Sequence, residues 1–202
     1  MKPGRWSRRG PILLAGTLIG AAAVVTFIAW SLGQWRPQPE GGDFTLESAA
    51  GPVSLVDRRG QWTVLYFGFT HCPDACPVSL SRWAKVFDEL PADKRDAAGL
   101  ILISVDPWRD DPEHLAEYVD FFDPAFTGVT GSPEQIAKVA GRYGAEYERV
   151  ELDSALAYTV DHSTWSYLIN PRGEIVHMYP DDTPASVLED SLREHMQASD
   201  QH

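Results

Sequence analysis

Hydrophobic and polar positions change their period several times along the chain, and each change marks an element. Residues 12–33 form a run of 22 positions without a charge. As a helix rising about 1.5 Å per residue, that run crosses a hydrocarbon core of roughly 30 Å. Trp6, Trp30 and Trp35 flank it, where interfacial aromatics belong. Arg36-Pro37-Gln38-Pro39-Glu40-Gly41-Gly42 follows without apolar periodicity and reads as a tether. Short apolar or alternating runs at 44–46 and 52–56 predict a hairpin, and the unbroken apolar run 63–69 predicts a strand covered on both faces. Helical spacing then takes over. Leu80, Trp83, Ala84 and Phe87 recur every three or four positions after Pro77 and stop at Leu90-Pro91. A second buried strand is expected at 100–105 and a third at 126–130. Between them Asp110-Asp111-Pro112-Glu113 opens a helix carrying Leu115, Tyr118, Val119 and Phe122 on one face. Ser132-Pro133-Glu134-Gln135 has the form of a capping box with a first-turn proline, ahead of Ile136, Val139, Ala140 and Tyr143. Runs at 165–169 and 174–179 around Asn170-Pro171-Arg172-Gly173 predict a hairpin. Thr183-Pro184 starts a last helix through Val187, Leu188, Leu192 and Met196.

The order of hairpin, three strand–helix units, hairpin and helix describes an α/β domain whose mixed sheet is flanked by helices, because parallel strands need crossovers that cover the sheet. A thioredoxin-like architecture fits that order. It places the chemistry at the turn leaving the 63–69 strand, where a helix N-terminus begins.

Charge adds a direction. The whole chain carries −12, yet Lys2, Arg5, Arg8 and Arg9 give +4 to the first ten residues, leaving −16 on the rest. Basic residues ahead of an apolar span hold that end in the cytoplasm, so the acidic domain is expected on the outer side, the periplasm of a Gram-negative cell. The expected organisation is a basic cytoplasmic segment at 1–11, one transmembrane helix at 12–33, a linker at 34–42, the domain at 43–197 and a tail at 198–202. A cleaved signal peptide usually has a shorter apolar region. A lipoprotein signal needs cysteine where Thr17 stands, and Pro11 interrupts the twin-arginine pattern begun by Arg8-Arg9. Strong acidity argues against nucleic acid as a partner.

Two cysteines in 202 residues exclude a disulfide scaffold, and both fall in FGFTHCPDACP, at the turn singled out by the fold. Cys72 and Cys76 are four apart, so on a helix both sulfurs share one face. A helix N-terminus lowers thiol pKa and favours thiolates, which bind soft metals or exchange disulfides. Thioredoxin-type redox pairs have two intervening residues, whereas three stand here, which leans toward chelation. A stabilising bridge is the bland alternative. Two thiolates rarely complete a metal site, so a third donor is sought among six histidines. His162 stands just before the strand at 165–169, where a loop can return over the helix N-terminus. His114 and His195 fall on helix surfaces, His177 beside Met178 suits sheet packing, His202 is terminal, and His71 adjoins Cys72. Asp74 can shape the loop between the cysteines, and Asp161 can orient the His162 segment. In SVDPWRDDP, Asp106, Arg109 and Asp110 form a charged group at strand ends, with helix capping the simpler role for Asp110.

Taken together, FGFTHCPDACP, ILISVDPWRDDPEHLAEYV, FTGVTGSPEQI and VDHSTWSYLINPRG resemble the Sco/SenC family of membrane-anchored, thioredoxin-fold proteins over residues 44–196. The resemblance implies copper, as Cu(I) or Cu(II), on Cys72, Cys76 and His162. It also implies a role in supplying or preparing the binuclear copper site of cytochrome c oxidase. Partners are then the copper-site subunit of the oxidase, a periplasmic copper donor and the membrane. Other readings of the same residues are a thiol–disulfide reductase that keeps the oxidase cysteines reduced, a peroxidase-like thiol enzyme and a copper sensor. Trp108 occupies the variable place of SVDPWRD, and Asp111 stands where the family often has threonine.

Overall fold

The computed structural model describes residues 39–153 and 157–199. The expected membrane span at 12–33 lies outside them, as do the basic segment, most of the linker and the last residues of the tail. Among the described residues no helix is long and apolar enough to cross a membrane.

The central sheet has five strands in the order β5-β4-β3-β8-β9. Its middle is β3 (Trp62–Gly68), parallel to β4 (Ala98–Ser104), which is in turn parallel to β5 (Phe126–Val129). On the other side β3 pairs antiparallel with β8 (Ser166–Ile169), and β8 pairs antiparallel with β9 (Ile175–Tyr179). Every residue of β3 and β4 is buried, as expected of strands covered on both faces. The helices are α1 (Ala75–Asp88), the single turn α2 (Ala92–Arg95), α3 (Pro112–Asp120), α4 (Pro133–Tyr143) and α5 (Ala185–Ser199). Helix α1 packs on α5, and α3 packs on β5. The mixed sheet flanked by helices is the arrangement the pattern predicts.

Local chemistry explains most boundaries. Asp111 accepts the His114 N–H and caps α3, while Ser132 and Gln135 close a reciprocal capping box at α4, which ends on Gly144 in the left-handed conformation. Helix α1 begins at Ala75, two residues earlier than Pro77 suggests. Proline sits in the first turn at no cost there, because its missing N–H has no intrahelical partner at that position. In α5, Leu188, Leu192 and Met196 are buried, but Val187 faces solvent, contrary to the expected apolar face. The opening hairpin is β1 (Thr45–Ser48) with β2 (Gly51–Ser54), followed by a 3-10 turn at Leu55–Arg58. The final residues of the expected linker are docked: Gly41 donates to the Arg142 carbonyl at 3.0 Å, and Tyr143 donates to that of Gly42 at 2.9 Å.

One element has no counterpart in the sequence reading. Strands β6 (Tyr147–Glu151) and β7 (Tyr158–His162) form a separate antiparallel hairpin, and His162 is the last residue of β7 instead of a loop residue. Tyr147, Glu148, Arg149 and Glu151 lie at intermediate or exposed positions, so β6 carries too little apolar signal to read as a strand.

The core contains Trp83, Tyr66, Tyr143, Tyr167, Phe67, Phe69 and Phe87. Trp83 keeps its polar edge satisfied by donating to Ser166 at 2.9 Å. Packing is tight where α3 crosses β5. A Cβ on Gly128 would stand 2.7 Å from the Leu115 Cβ and 2.9 Å from the Leu115 carbonyl oxygen. Gly128→Ala is therefore expected to destabilise the domain by about 1–3 kcal/mol through overpacking. Urea unfolding should show a lower midpoint at unchanged slope, and an unchanged midpoint would refute the tight crossing.

Candidate metal centre

Strand β3 delivers the chain into a turn in which Cys72 N–H bonds the Phe69 carbonyl at 3.3 Å, and α1 starts three residues later. Asp74 is the N-cap residue, yet its exposed carboxylate makes no capping bond. The sulfur of Cys72 takes that place: it accepts the Cys76 backbone N–H at 3.4 Å and is approached by the Asp74 backbone N–H. The expected role of Asp74 thus passes from its carboxylate to its main chain. Unpaired helix N–H groups favour negative charge beside them, so the fold stabilises a thiolate at Cys72.

The two thiols are unequal. A hydrogen bond from Cys76, then one from His162 and the two backbone N–H groups, hold Cys72 well below the ordinary thiol range, against the opposing effect of partial burial. The same bond to Cys72, together with burial, pushes Cys76 upward. The pair therefore holds one proton between its sulfurs, with the charge on the more accessible Cys72. Cys76 is fully buried, and Gly68 makes room for it: a Cβ at Gly68 would lie 2.9 Å from the Cys76 sulfur. An isolated glycine inside an apolar strand is the signal for such close approach, and it was available in the sequence.

His162 arrives from the end of β7. Its Nε2 lies 3.5 Å from the Cys76 sulfur and its Nδ1 lies 3.1 Å from the Ser163 carbonyl oxygen. A carbonyl only accepts, so Nδ1 carries a proton, and Nε2 is the ring nitrogen that faces the sulfurs. The ring stands edge-on to Phe69 and Tyr66, with centroids 5.7 and 6.3 Å away. The Ser163 carbonyl, instead of Asp161, orients the imidazole. Asp161 alternates to the opposite side of β7, where it is paired with exposed Glu148.

Two braces hold these parts together, both from the segment that follows β4. Asp110 is fully buried and accepts from Thr70 N at 3.0 Å, Thr70 Oγ1 at 2.6 Å and Ser104 Oγ at 2.6 Å, tying the cysteine turn to β4. It is not the helix cap that its position suggests, because Asp111 holds that place. Asp106 pairs with Arg109 and accepts the Tyr158 hydroxyl at 2.8 Å, while Arg109 donates to the Tyr158 carbonyl at 3.1 Å and lies 3.7 Å over its ring. Tyr158 begins β7, so this brace positions the strand that carries His162. Neither brace was legible in spacing alone. His71 does not join the cysteines; its Nδ1 contacts Thr70 Oγ1 at 2.9 Å.

The three donor atoms of Cys72, Cys76 and His162 lie within 4.8 Å of one another. Metal–sulfur and metal–nitrogen bonds of about 2.3 and 2.0–2.1 Å set two donors roughly 3.5–3.8 Å apart at tetrahedral to trigonal angles. The Cys76–His162 separation of 3.5 Å is of that size. Two thiolates and an imidazole are soft donors, suited to Cu(I) and also used by Cu(II) and Zn(II).

A family profile described as SCO1/SenC matches residues 33–197. The chain is 37% identical to the mitochondrial protein SCO2 homolog of Mus musculus over 213 residues, covering 96% of this chain and 84% of that one. It is 41% identical to the Homo sapiens SCO2 homolog over 163 residues, covering 78% of this chain and 60% of that one. Among solved structures, Arabidopsis thaliana ScoI with copper bound superposes with a TM-score of 0.73 at 39% identity, covering 78% of this chain and 99% of the other. On the profile match and these identities, the chain belongs to the SCO1/SenC family.

Proposed function

We propose that this chain is a copper chaperone that takes one copper ion on Cys72, Cys76 and His162 and passes it, by ligand exchange, to the binuclear copper site of cytochrome c oxidase. The observation that carries the reading is the convergence of two sulfurs and an imidazole nitrogen that faces them on one small volume. The copper-bound state of the Arabidopsis relative supports the choice of metal. Copper requires the reduced dithiol, so a Cys72–Cys76 disulfide closes the site and links loading to thiol redox state. Partly exposed Cys72 is the ligand that an incoming or departing thiolate reaches first, and buried Cys76 is the anchor.

The same reading makes residues 12–33 a membrane anchor with the domain on the periplasmic side, supported by the change from +4 to −16 across that run in a chain totalling −12. A periplasmic copper donor and the oxidase copper-site subunit are then within reach. A second reading, thiol–disulfide reductase, is favoured by the inequality of the thiols. An accessible thiolate at Cys72 attacks an acceptor disulfide, and Cys76 resolves the mixed disulfide, leaving the acceptor reduced by two electrons and the pair oxidised.

Titrating the reduced full chain against a chromophoric Cu(I) chelator should show one copper withdrawn per chain. Cys72→Ser, Cys76→Ser and His162→Ala should each weaken retention by about 10- to 100-fold or more, and full retention in any of them removes that residue from the site. Thiol inequality has its own readout. A free cysteine near pKa 8.5 alkylates roughly 100-fold more slowly at pH 6 than at pH 8. Cys72, whose pKa is lowered to about 3, below that window, stays largely ionised across it and should lose little rate to iodoacetamide, while Cys76 stays unlabelled. Peptide mass spectrometry separates the two sites, and a Cys72 rate that falls like that of a free thiol contradicts the assignment. In cells lacking the chain, added copper should restore copper loading of the oxidase. Restoration by added reductant alone selects the reductase reading instead.

A further inference from the structure

We propose that His71, Asp110 and His114 form a second metal site, of harder donors, which holds a divalent first-row ion, Cu(II) foremost, beside the thiolate centre. Their ligand atoms all lie within 4.8 Å of one another, and His71 Nδ1 is 3.8 Å from Asp110 Oδ1. His114 belongs to the first turn of α3 and His71 to the cysteine turn, so two exposed rings from different elements meet over one buried carboxylate, with centroids 6.0 Å apart. Donors on opposite sides of an ion with bonds of about 2.0–2.2 Å are roughly 4.0–4.4 Å apart. Closing the set takes rotation of the exposed rings and a turn of the Thr70 hydroxyl, which now sits among the three donors and gives way to the ion.

The hydrogen bonds show that the group is already gathered around a common point. Thr70 Oγ1 contacts His71 Nδ1 at 2.9 Å, His114 Nε2 at 3.1 Å and Asp110 Oδ1 at 2.6 Å. A hydroxyl has one proton, and an ionised carboxylate only accepts, so that proton goes to Asp110 and both imidazoles approach the hydroxyl through N–H. Each ring keeps its second nitrogen free to take the proton when an ion claims the first, so neutral rings bind without releasing a proton. Asp110 Oδ2 is occupied by Thr70 N and Ser104 Oγ, whereas Oδ1 accepts only from Thr70 Oγ1 and retains a lone pair for a metal. A carboxylate held by hydrogen bonds and two imidazoles make an N2O set. Such a set prefers divalent ions to Cu(I) and, by the usual order of stabilities, binds Cu(II) more tightly than Zn(II).

The test uses the full chain carrying Cys72→Ser, Cys76→Ser and His162→Ala, so that the thiolate centre is absent, titrated with Cu(II) and followed by electron paramagnetic resonance. One equivalent should bind with a signal split by two imidazole nitrogens, and Zn(II) should compete for it. Adding His114→Ala, an exposed change that leaves the fold intact by circular dichroism, should weaken binding by about 10- to 100-fold or more and remove one nitrogen coupling. Adding His71→Ala should do the same, and His177→Ala should change nothing. Absence of Cu(II) binding in the background chain, or a signal and affinity unaltered by His114→Ala, overturns the proposal.

Discussion

Asp106 and Asp110 are wholly removed from water, and a carboxylate in that state must be paired or hydrogen-bonded or it destabilises the fold by several kcal/mol. That constraint assembles the site. Asp110 accepts from the Thr70 amide and hydroxyl as well as from Ser104, which ties down the turn just ahead of Cys72. Asp106 is satisfied by Arg109 and by the Tyr158 hydroxyl, which fixes the start of the strand that ends in His162. Four residues apart on one segment after β4, the two acids draw together pieces of chain nearly ninety residues apart in sequence. Losing either partner of such a buried pair leaves an uncompensated charge, so the acceptable arrangements of the cysteine turn and the hairpin are few.

Within that frame, the helix N-terminus decides the character of the thiols. Serine, aspartate or asparagine usually caps a helix, and Asp74 stands in the right place to do so. Its carboxylate points to solvent instead, and the Cys72 sulfur accepts the N–H that the cap would have taken. A sulfur that caps a helix is stabilised as an anion before any metal arrives. Cys76, in the first turn of the helix and buried against Gly68, keeps the proton because its bond to Cys72 and its burial outweigh the hydrogen bonds it receives. In the two proposed readings, metal capture and disulfide exchange both begin from this asymmetry.

Much of this was legible in the residues. The capping box of α4, the doubly buried β3 and β4, and the Cys72–Cys76 spacing each depend on neighbours in sequence and appear where periodicity and turn chemistry place them. His162 was legible as a candidate from its place before β8 and from family resemblance, but its geometry was not. The hairpin that carries it lies mostly at the surface, and Glu148, Arg149 and Glu151 mask its alternation. Asp110 misled because any acid just before a helix-opening proline resembles a cap; only the Ser104 and Thr70 contacts, the latter forty residues distant, show that it faces inward. Asp161 misled for a simpler reason. Adjacency to a ligand in a strand puts a side chain on the opposite face, so the neighbour of His162 is the residue least able to touch its ring. The proposed membrane span lies outside the described residues and rests on the sequence alone.

The separateness of the β6–β7 hairpin carries a mechanical consequence. Central-sheet strands exchange backbone hydrogen bonds with one another, but β6 and β7 pair only between themselves. The hairpin is anchored by side chains, with Tyr158 and Val160 buried in the core and Tyr158 held by Asp106 and Arg109. Moving His162 therefore breaks no ladder of the core, whereas moving Cys76 disrupts α1, Gly68 and the packed strand beneath it. Ligand exchange needs donors that leave one at a time without unfolding their support. For the proposed exchange the fold supplies a graded set: a fixed sulfur in the core, a second sulfur on a turn, and an imidazole at the end of a hairpin outside the central sheet.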